Sequence, residues 1–241
     1  MDQKFIQRAT QVTSFNFISS DFTSLTYKKE IQSLFATHFF PTFNLNNTLD
    51  TIDKNKLNLL ISKLKEINSS KFLNLHNYNL KGIGPGEVTL YFLLNNAKLG
   101  GGASAGVDLM VGSQAYEIKA IKLSRDGYAY DFKLGGTVPL ADIITDLYTL
   151  ATKLKLGGTR TEISGSIIEG MKTKAPDEYK LIENKFREIS FGSYFKNHEI
   201  IFINNTAGTN FGKIEAIKNV TMSDIFIERL TNGTVKPRVK L

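Results

Sequence analysis

The sequence contains no cysteine. That excludes a disulfide scaffold, a thiolate zinc site and a cysteine nucleophile, and it fits a reducing compartment without requiring one. Histidine is scarce: His38, His76 and His198 stand far apart, which argues against a histidine metal centre and a serine triad. Nowhere do apolar residues run for the ~18 positions that a membrane helix needs. The start, MDQKFIQRATQVTSF, lacks the apolar core of a secretion signal. The G-x-x-x-x-G-K-[ST] loop of ATP hydrolysis is missing too, and Gly82-x-Gly84-x-Gly86 has the wrong spacing for a dinucleotide fingerprint. What remains is a chain of 241 residues, with 30 basic against 23 acidic side chains and a net charge of +7. At that length one large domain, or one with a small appendage, can bury a core without covalent staples. The basic excess suits a polyanionic partner. No membrane partner is expected.

Residues 1–80 read as a mostly helical or irregular extension. Within it, Leu57, Leu60, Ile61, Leu64 and Ile67 recur at i, i+3, i+4 and i+7, predicting an amphipathic helix over residues 57–67. Asp53 or Thr51 would cap it, and Asn68-Ser69-Ser70 would end it. From residue 81 the character changes. KGIGPGE opens a second helix with Pro85 in its first turn and Leu90, Leu93, Leu94 and Ala97 on its buried face, ended by Gly100-Gly101-Gly102. GVDLMVGSQAYEIKAIKL then reads as two β runs about Gly112-Ser113, with a third run over residues 128–134. An amphipathic helix follows over 139–155, a loop over 157–175, a helix over 176–189 and a buried strand over 199–203. A short helix near 223–228, capped by Thr221, and an edge strand over 234–240 complete the reading. Arg229, Lys236, Arg238 and Lys240 make that end basic, either as a solvated tail or edge strand or as a phosphate contact. The expected organisation is residues 1–80 followed by an α/β domain over 81–241, in α-β-β-β-α order with a later strand joining the sheet.

The hairpin carries the chemistry. A two-residue loop with Gly112 in its first position suits a type II′ turn. That register pairs Val111 with Gln114, Met110 with Ala115, Leu109 with Tyr116 and Asp108 with Glu117. Lys119, two residues beyond Glu117, emerges on the same face. Two opposed carboxylates destabilise a sheet unless a cation reverses the sign, and Mg²⁺ takes oxygen ligands from one or two carboxylates plus substrate phosphate. Lys119 could orient or help deprotonate a water, and Glu87, early in the preceding helix, could add a third carboxylate. The plain alternative is a solvated strand face beside a first-turn acid favoured by the helix dipole. Lys122, Arg125 and Lys133, just past these residues, read equally as phosphate contacts and as ordinary turn or strand-edge charges.

Glu87, then Asp108, then Glu117-Ile118-Lys119, in this order of elements, resembles the PD-(D/E)XK nuclease superfamily, and bacteriophage-encoded members in particular. The resemblance covers residues 82–156, and Val107 stands where the name of the motif has proline. It implies a restriction-endonuclease-like core (αβββαβ, a mixed central sheet flanked by helices). It further implies a Mg²⁺- or Mn²⁺-dependent endonuclease that hydrolyses phosphodiester bonds in DNA. Asp108, Glu117 and Glu87 would be metal ligands and catalytic residues, with the Ile118 carbonyl as a further ligand and Lys119 positioning the attacking water. A homodimer, other phage proteins as partners, and a location in the host cytoplasm or the virion accompany that reading. The alternative is a phage structural or assembly protein on a nuclease-like fold, its site dormant or activated by a partner.

Overall fold

Residues that recur at helical spacing form helices in the computed structural model, which describes residues 2–11, 16–78, 80–100, 107–135 and 138–241. In chain order the helices are α1 (Gln3–Ala9), α2 (Lys28–Phe39), α3 (Lys54–His76), α4 (Glu87–Leu93), α5 (Ala141–Lys153), α6 (Gly165–Lys174) and α7 (Pro176–Ser193). The strands are β1 (Ala97–Leu99), β2 (Leu109–Val111), β3 (Gln114–Leu123), β4 (Tyr128–Tyr130), β5 (Glu199–Asn204), β6 (Ile214–Asn219), β7 (Ile225–Thr231) and β8 (Thr234–Lys240). Two stretches of chain build each of two units: Met1–Ala120 with Ile200–Ile217, and Ile121–Glu199 with Lys218–Leu241. The boundary expected at residue 80 coincides with neither unit's limits.

In the first unit the chemistry of α4 explains why. Its sequence, EVTLYFL, is apolar nearly all round, and every one of its residues is buried. Such a helix must be covered on all sides. Residues from the first 80 do this, packing Phe22 edge-on to Tyr91 at 5.0 Å and Phe35 edge-on to Phe92 at 5.8 Å. They therefore belong to the core rather than to an extension. The buried C-terminal carbonyls of α4 are met by α2: Lys28 Nζ donates to the Tyr91 carbonyl, and Gln32 Nε2 donates to the Phe92 carbonyl at 2.8 Å. In α3, Asp53 caps the N-terminus through the Asn55 and Lys56 N–H groups, and Leu57, Leu60, Ile61 and Leu64 are buried as the period predicts. Asn68 does not end the helix. It interrupts it with non-helical backbone, and its Oδ1 accepts from the Lys71 N–H at 3.0 Å, capping a second half.

The helix expected to reach the glycines at 100–102 stops at Leu93, and Ala97–Leu99 is instead a strand paired antiparallel with β2. Gly101 and Gly102 lie outside the described residues, as do Gly106 and Phe15. The β2–β3 hairpin has the expected register, Val111 with Gln114, Met110 with Ala115 and Leu109 with Tyr116. Gly112 takes φ 60° and Ser113 is not at positive φ, a combination that fits type II′ and excludes type I′. Strand β5 pairs with both β3 and β6.

In the second unit the end of β3 pairs with β4, β4 with β8 and β8 with β7, all antiparallel. Four sequence expectations are corrected here. Residues 157–175 are not all loop: Ser164 caps α6 through the Ile167 N–H, and Ile168 and Met171 bury its inner face. The segment 223–228 is not a helix beyond the short turn Met222–Asp224, because Ile225 and Ile227 are buried at a period of two, which suits a strand. Thr221 does cap that short turn. Strand β8 is not an edge, since it lies between β4 and β7. Pro237, which has no N–H to give a ladder, sits opposite Ile227 where the register shifts before Arg229. The third β run is shorter than residues 128–134, because Asp131 takes φ 65° and ends β4 at Tyr130.

Candidate active site

Glu87, Asp108, Glu117 and Lys119 all belong to the first unit, and electrostatics ties them together. Asp108 stands immediately before β2. Its N–H donates to the Tyr116 carbonyl at 3.1 Å, so the ladder does not continue to an Asp108–Glu117 pair as expected. The departure turns the Asp108 carboxylate onto the facing strand, where Oδ2 accepts from the Ile118 N–H at 2.8 Å. Thus it is the amide of Ile118, rather than the expected carbonyl, that is engaged at this point. Glu117 is buried, and its Oε1 accepts from Lys119 Nζ at 2.7 Å in an ion pair with little exposure on either side.

Glu87 is the first residue of α4 and only 5% exposed. Its Oε1 accepts from the Gly84 N–H at 2.6 Å. Glycines set this entry. Gly86 takes φ 89° at the N-cap, and its N–H donates to the His76 carbonyl at 2.7 Å. A side chain on Gly84 would begin 2.8 Å from the Glu87 carboxylate. At Gly100 a Cβ would fall 1.6 Å from the Val107 carbonyl oxygen, so only glycine lets β1 run against the residue before Asp108. Neither close approach is visible in the sequence, where these residues read only as a glycine-rich entry and a helix end.

Burial raises the Glu87 carboxyl to about 8, helped by the charge of Asp108 and opposed by the Gly84 N–H and Lys119. Asp108 is raised to about 6, first by burial, then by the charge of Glu117 and a side-chain hydrogen bond with it, against the Ile118 N–H and Lys119. The group gathers three carboxylates around one lysine, and ionising all of them costs free energy in this environment.

Among the described residues no three Asp, Glu or His side chains form a group able to hold a metal ion. Glu87 therefore does not join Asp108 and Glu117 as a third ligand in this arrangement. The donor set that fits a cation is the Asp108–Glu117 pair: hard oxygens, anionic when ionised and adjacent enough to hydrogen-bond, with Asp108 raised first by burial and then by the charge of Glu117. The three basic residues expected to meet phosphate lie in the second unit. Lys122 is paired with Asp131 at 2.9 Å, Arg125 is exposed in the turn closed by the Gly127 N–H on the Ser124 carbonyl, and Lys133 is exposed after β4. The basic C-terminal stretch is not a free tail: Arg229 bonds Asp131 and Glu228, Arg238 stacks over Tyr128 at 4.3 Å, and Lys236 is buried.

No protein-family model, no curated protein and no solved structure matches the chain. Among the described residues no helix is long and apolar enough to cross a membrane. The class defined on these grounds is an α/β protein with antiparallel ladders flanked by helices.

Proposed function

We propose that the protein is a metal-dependent nuclease that hydrolyses phosphodiester bonds in DNA, built on a restriction-endonuclease-like core. One observation carries the reading: Asp108 and Glu117, brought side by side by the β2–β3 hairpin, share their environment with Lys119 and the buried Glu87. The order α4, β1–β4, α5 around that hairpin supports the core assignment. Asp108 and Glu117 would hold Mg²⁺ or Mn²⁺. When bound, that ion would supply Lewis-acid stabilisation of the phosphoryl oxygens and an acidified water. The chain's own residues do the rest. The Ile118 N–H fixes the Asp108 carboxylate through Oδ2. Lys119 Nζ, which donates to Glu117 Oε1, would stand beside the ion to orient a water or the phosphate. Glu87, protonated near neutral pH, limits the repulsion that three ionised carboxylates would create.

The 2.7 Å Lys119–Glu117 ion pair also favours a second reading, a structural or assembly protein whose site stays closed until a partner separates the two. Cleavage of supercoiled, linear and single-stranded DNA, with Mg²⁺, with Mn²⁺ and with EDTA, tests both. Asp108→Ala and Lys119→Ala run beside the wild type after circular dichroism shows that they fold. Metal-dependent cutting that falls by at least about a hundredfold in both variants supports the nuclease. Equal cutting by all three proteins sinks it, and no cutting by any moves the second reading to the front.

A further inference from the structure

A cleft in the first unit has a lining that the acidic group does not use. Its volume is about 650 Å³, within the range of small-molecule sites. One wall is α3 on both sides of its interruption at Asn68, contributing Lys65, Ser69, Ser70 and Asn77. The other is the loop between β5 and β6, contributing Asn205 and Phe211. That loop is tied at its base by Asn204, whose carbonyl accepts from the Gly212 N–H at 2.6 Å and whose Oδ1 accepts from the Thr206 N–H at 2.9 Å. Gly212, at φ 76°, leaves room for the Phe72 ring, which a Cβ there would meet at 2.6 Å. Phe72 and Phe211 stand edge-to-face at 6.2 Å, and the buried His76 ring backs Phe211 at 4.4 Å.

Two kinds of chemistry therefore share one cleft. The half-exposed Phe211 ring, held by Phe72 and His76, offers a stacking surface for a planar ring. The exposed amides of Asn77 and Asn205 line the cleft beside that ring, Asn205 also reaching His76, and an amide carries both a donor and an acceptor. Beside them, Lys65 Nζ lies 5.4 Å over Phe72 and donates to the Thr209 carbonyl at 3.2 Å. Among the described residues no carboxylate pairs with Lys65. Burial lowers its pKa, the mark of a cation without an anion. The Ser69 hydroxyl lines the same cleft, beside that of Ser70, which donates to Asn68 Oδ1 at 3.0 Å. An unneutralised cation beside a hydroxyl suits a phosphate, and an aromatic platform flanked by amides suits a base.

We infer that this cleft binds a nucleoside monophosphate, its base on Phe211 between Asn77 and Asn205 and its phosphate at Lys65 and Ser69. The inference does not depend on the nuclease reading, because the two sets of residues have no member in common.

The test is calorimetric titration of the full chain in EDTA with the four deoxynucleoside 5′-monophosphates, the matching nucleosides and inorganic phosphate. At least one monophosphate should bind about tenfold more tightly than its nucleoside and than phosphate. Lys65→Gln should weaken that monophosphate about tenfold, the scale of one charge-assisted bond, and leave the nucleoside unchanged. Phe211→Leu, which keeps apolar bulk and removes the stacking face, should weaken both, and Asp108→Asn should weaken neither. The inference is overturned if no monophosphate binds at millimolar concentration, or if phosphate alone binds as tightly. It is equally overturned if Lys65→Gln and Phe211→Leu, folded by circular dichroism, bind like the wild type, or if Asp108→Asn removes the binding.

Discussion

Asp108 and Asp131 carry the same side chain beside short strands in different units, and their surroundings treat them oppositely. Asp108 precedes β2, accepts one backbone N–H and faces Glu117, so burial and repulsion raise it to about 6. Asp131 follows β4 and is also partly buried, which by itself pushes it up. Hydrogen bonds from Lys122 at 2.9 Å and Arg229 at 2.6 Å outweigh that burial, and its carboxyl falls below the ordinary value. In the second unit, then, a positive-φ residue at a strand end is held by neutralising charges, which is a structural use of an aspartate. In the first unit acids are collected faster than cations, which costs stability and is the arrangement expected of a site that awaits a positive ligand. Burial and partners together separate the two acids: Asp108 is the more deeply buried and faces another carboxylate, whereas Asp131 is partly exposed and faces two cations.

The largest effect that could break this comparison is on turnover. Asp108→Ala or Lys119→Ala should reduce metal-dependent DNA cleavage at least about a hundredfold, whereas Asp131→Asn should leave it within about threefold, as measured by initial rates on supercoiled plasmid. Undiminished cutting by Asp108→Ala would erase the distinction.

Next comes the pH dependence of stability, where the two kinds of acid have opposite signs. Glu87 is raised from its ordinary value of 4.5 to about 8, so the folded state holds an extra proton between those values. Its contribution is therefore most favourable below about pH 4.5 and is lost as pH rises towards 8. Asp108 does the same between 3.8 and about 6. Asp131, being lowered, contributes stability that is lost as pH falls below the ordinary aspartate value of 3.8. Glu87→Gln should flatten the loss with rising pH and be the more stable protein at pH 8, by a few kcal/mol in urea titrations. A variant that is less stable than the wild type at pH 8 would contradict this sign. Divalent cation should sharpen the same contrast. Mg²⁺ should raise the melting temperature more at pH 8 than at pH 5, because it competes with the proton on Asp108, and Asp108→Asn should remove that difference.

Smaller effects belong to the second unit. Arg229→Met removes one cation from Asp131 and Glu228 and should cost about 1–2 kcal/mol, less than a fully buried pair because these groups are partly exposed. Lys122→Ala breaks a more exposed contact and should lower the midpoint of the same denaturant titration less than Arg229→Met does. If Lys122→Ala were the costlier of the two, exposure would not be what grades these pairs.

The site was legible from the sequence where local rules govern it. The Gly112 turn and the apolar alternation around it lead to the three ladder pairs that form, and Glu87 reads correctly as the opening acid of a helix. The fourth pair was not legible. The ladder stops and the Asp108 carboxylate turns onto the Ile118 N–H where Gly100, just after β1, packs against Val107, a contact between residues seven positions apart that no period records. The segment 223–228 failed for another reason. Ser, Asp and Glu there suggest a helix start, and the capped turn does form, but Ile225 and Ile227 join a strand because β8 offers them a partner.

Turn chemistry and periodicity act within a few residues, so the sequence by itself determined the hairpin register and the helix over Leu57 to Leu64, while it left the cap open between Asp53 and Thr51 and ended the helix too early at Asn68. Tertiary structure decided what those pieces enclose. An all-round apolar α4 needs a cover, and only folding shows that the first 80 residues supply it and that Lys28 and Gln32 satisfy its buried carbonyls. The placement of β8 between β4 and β7, and of β5 against β3, likewise comes from pairing across long stretches of chain. Charge follows the same division. An aspartate is written in the sequence, but whether it is neutralised, as Asp131 is, or left raised, as Asp108 is, is settled by distant side chains that burial brings within a few ångströms.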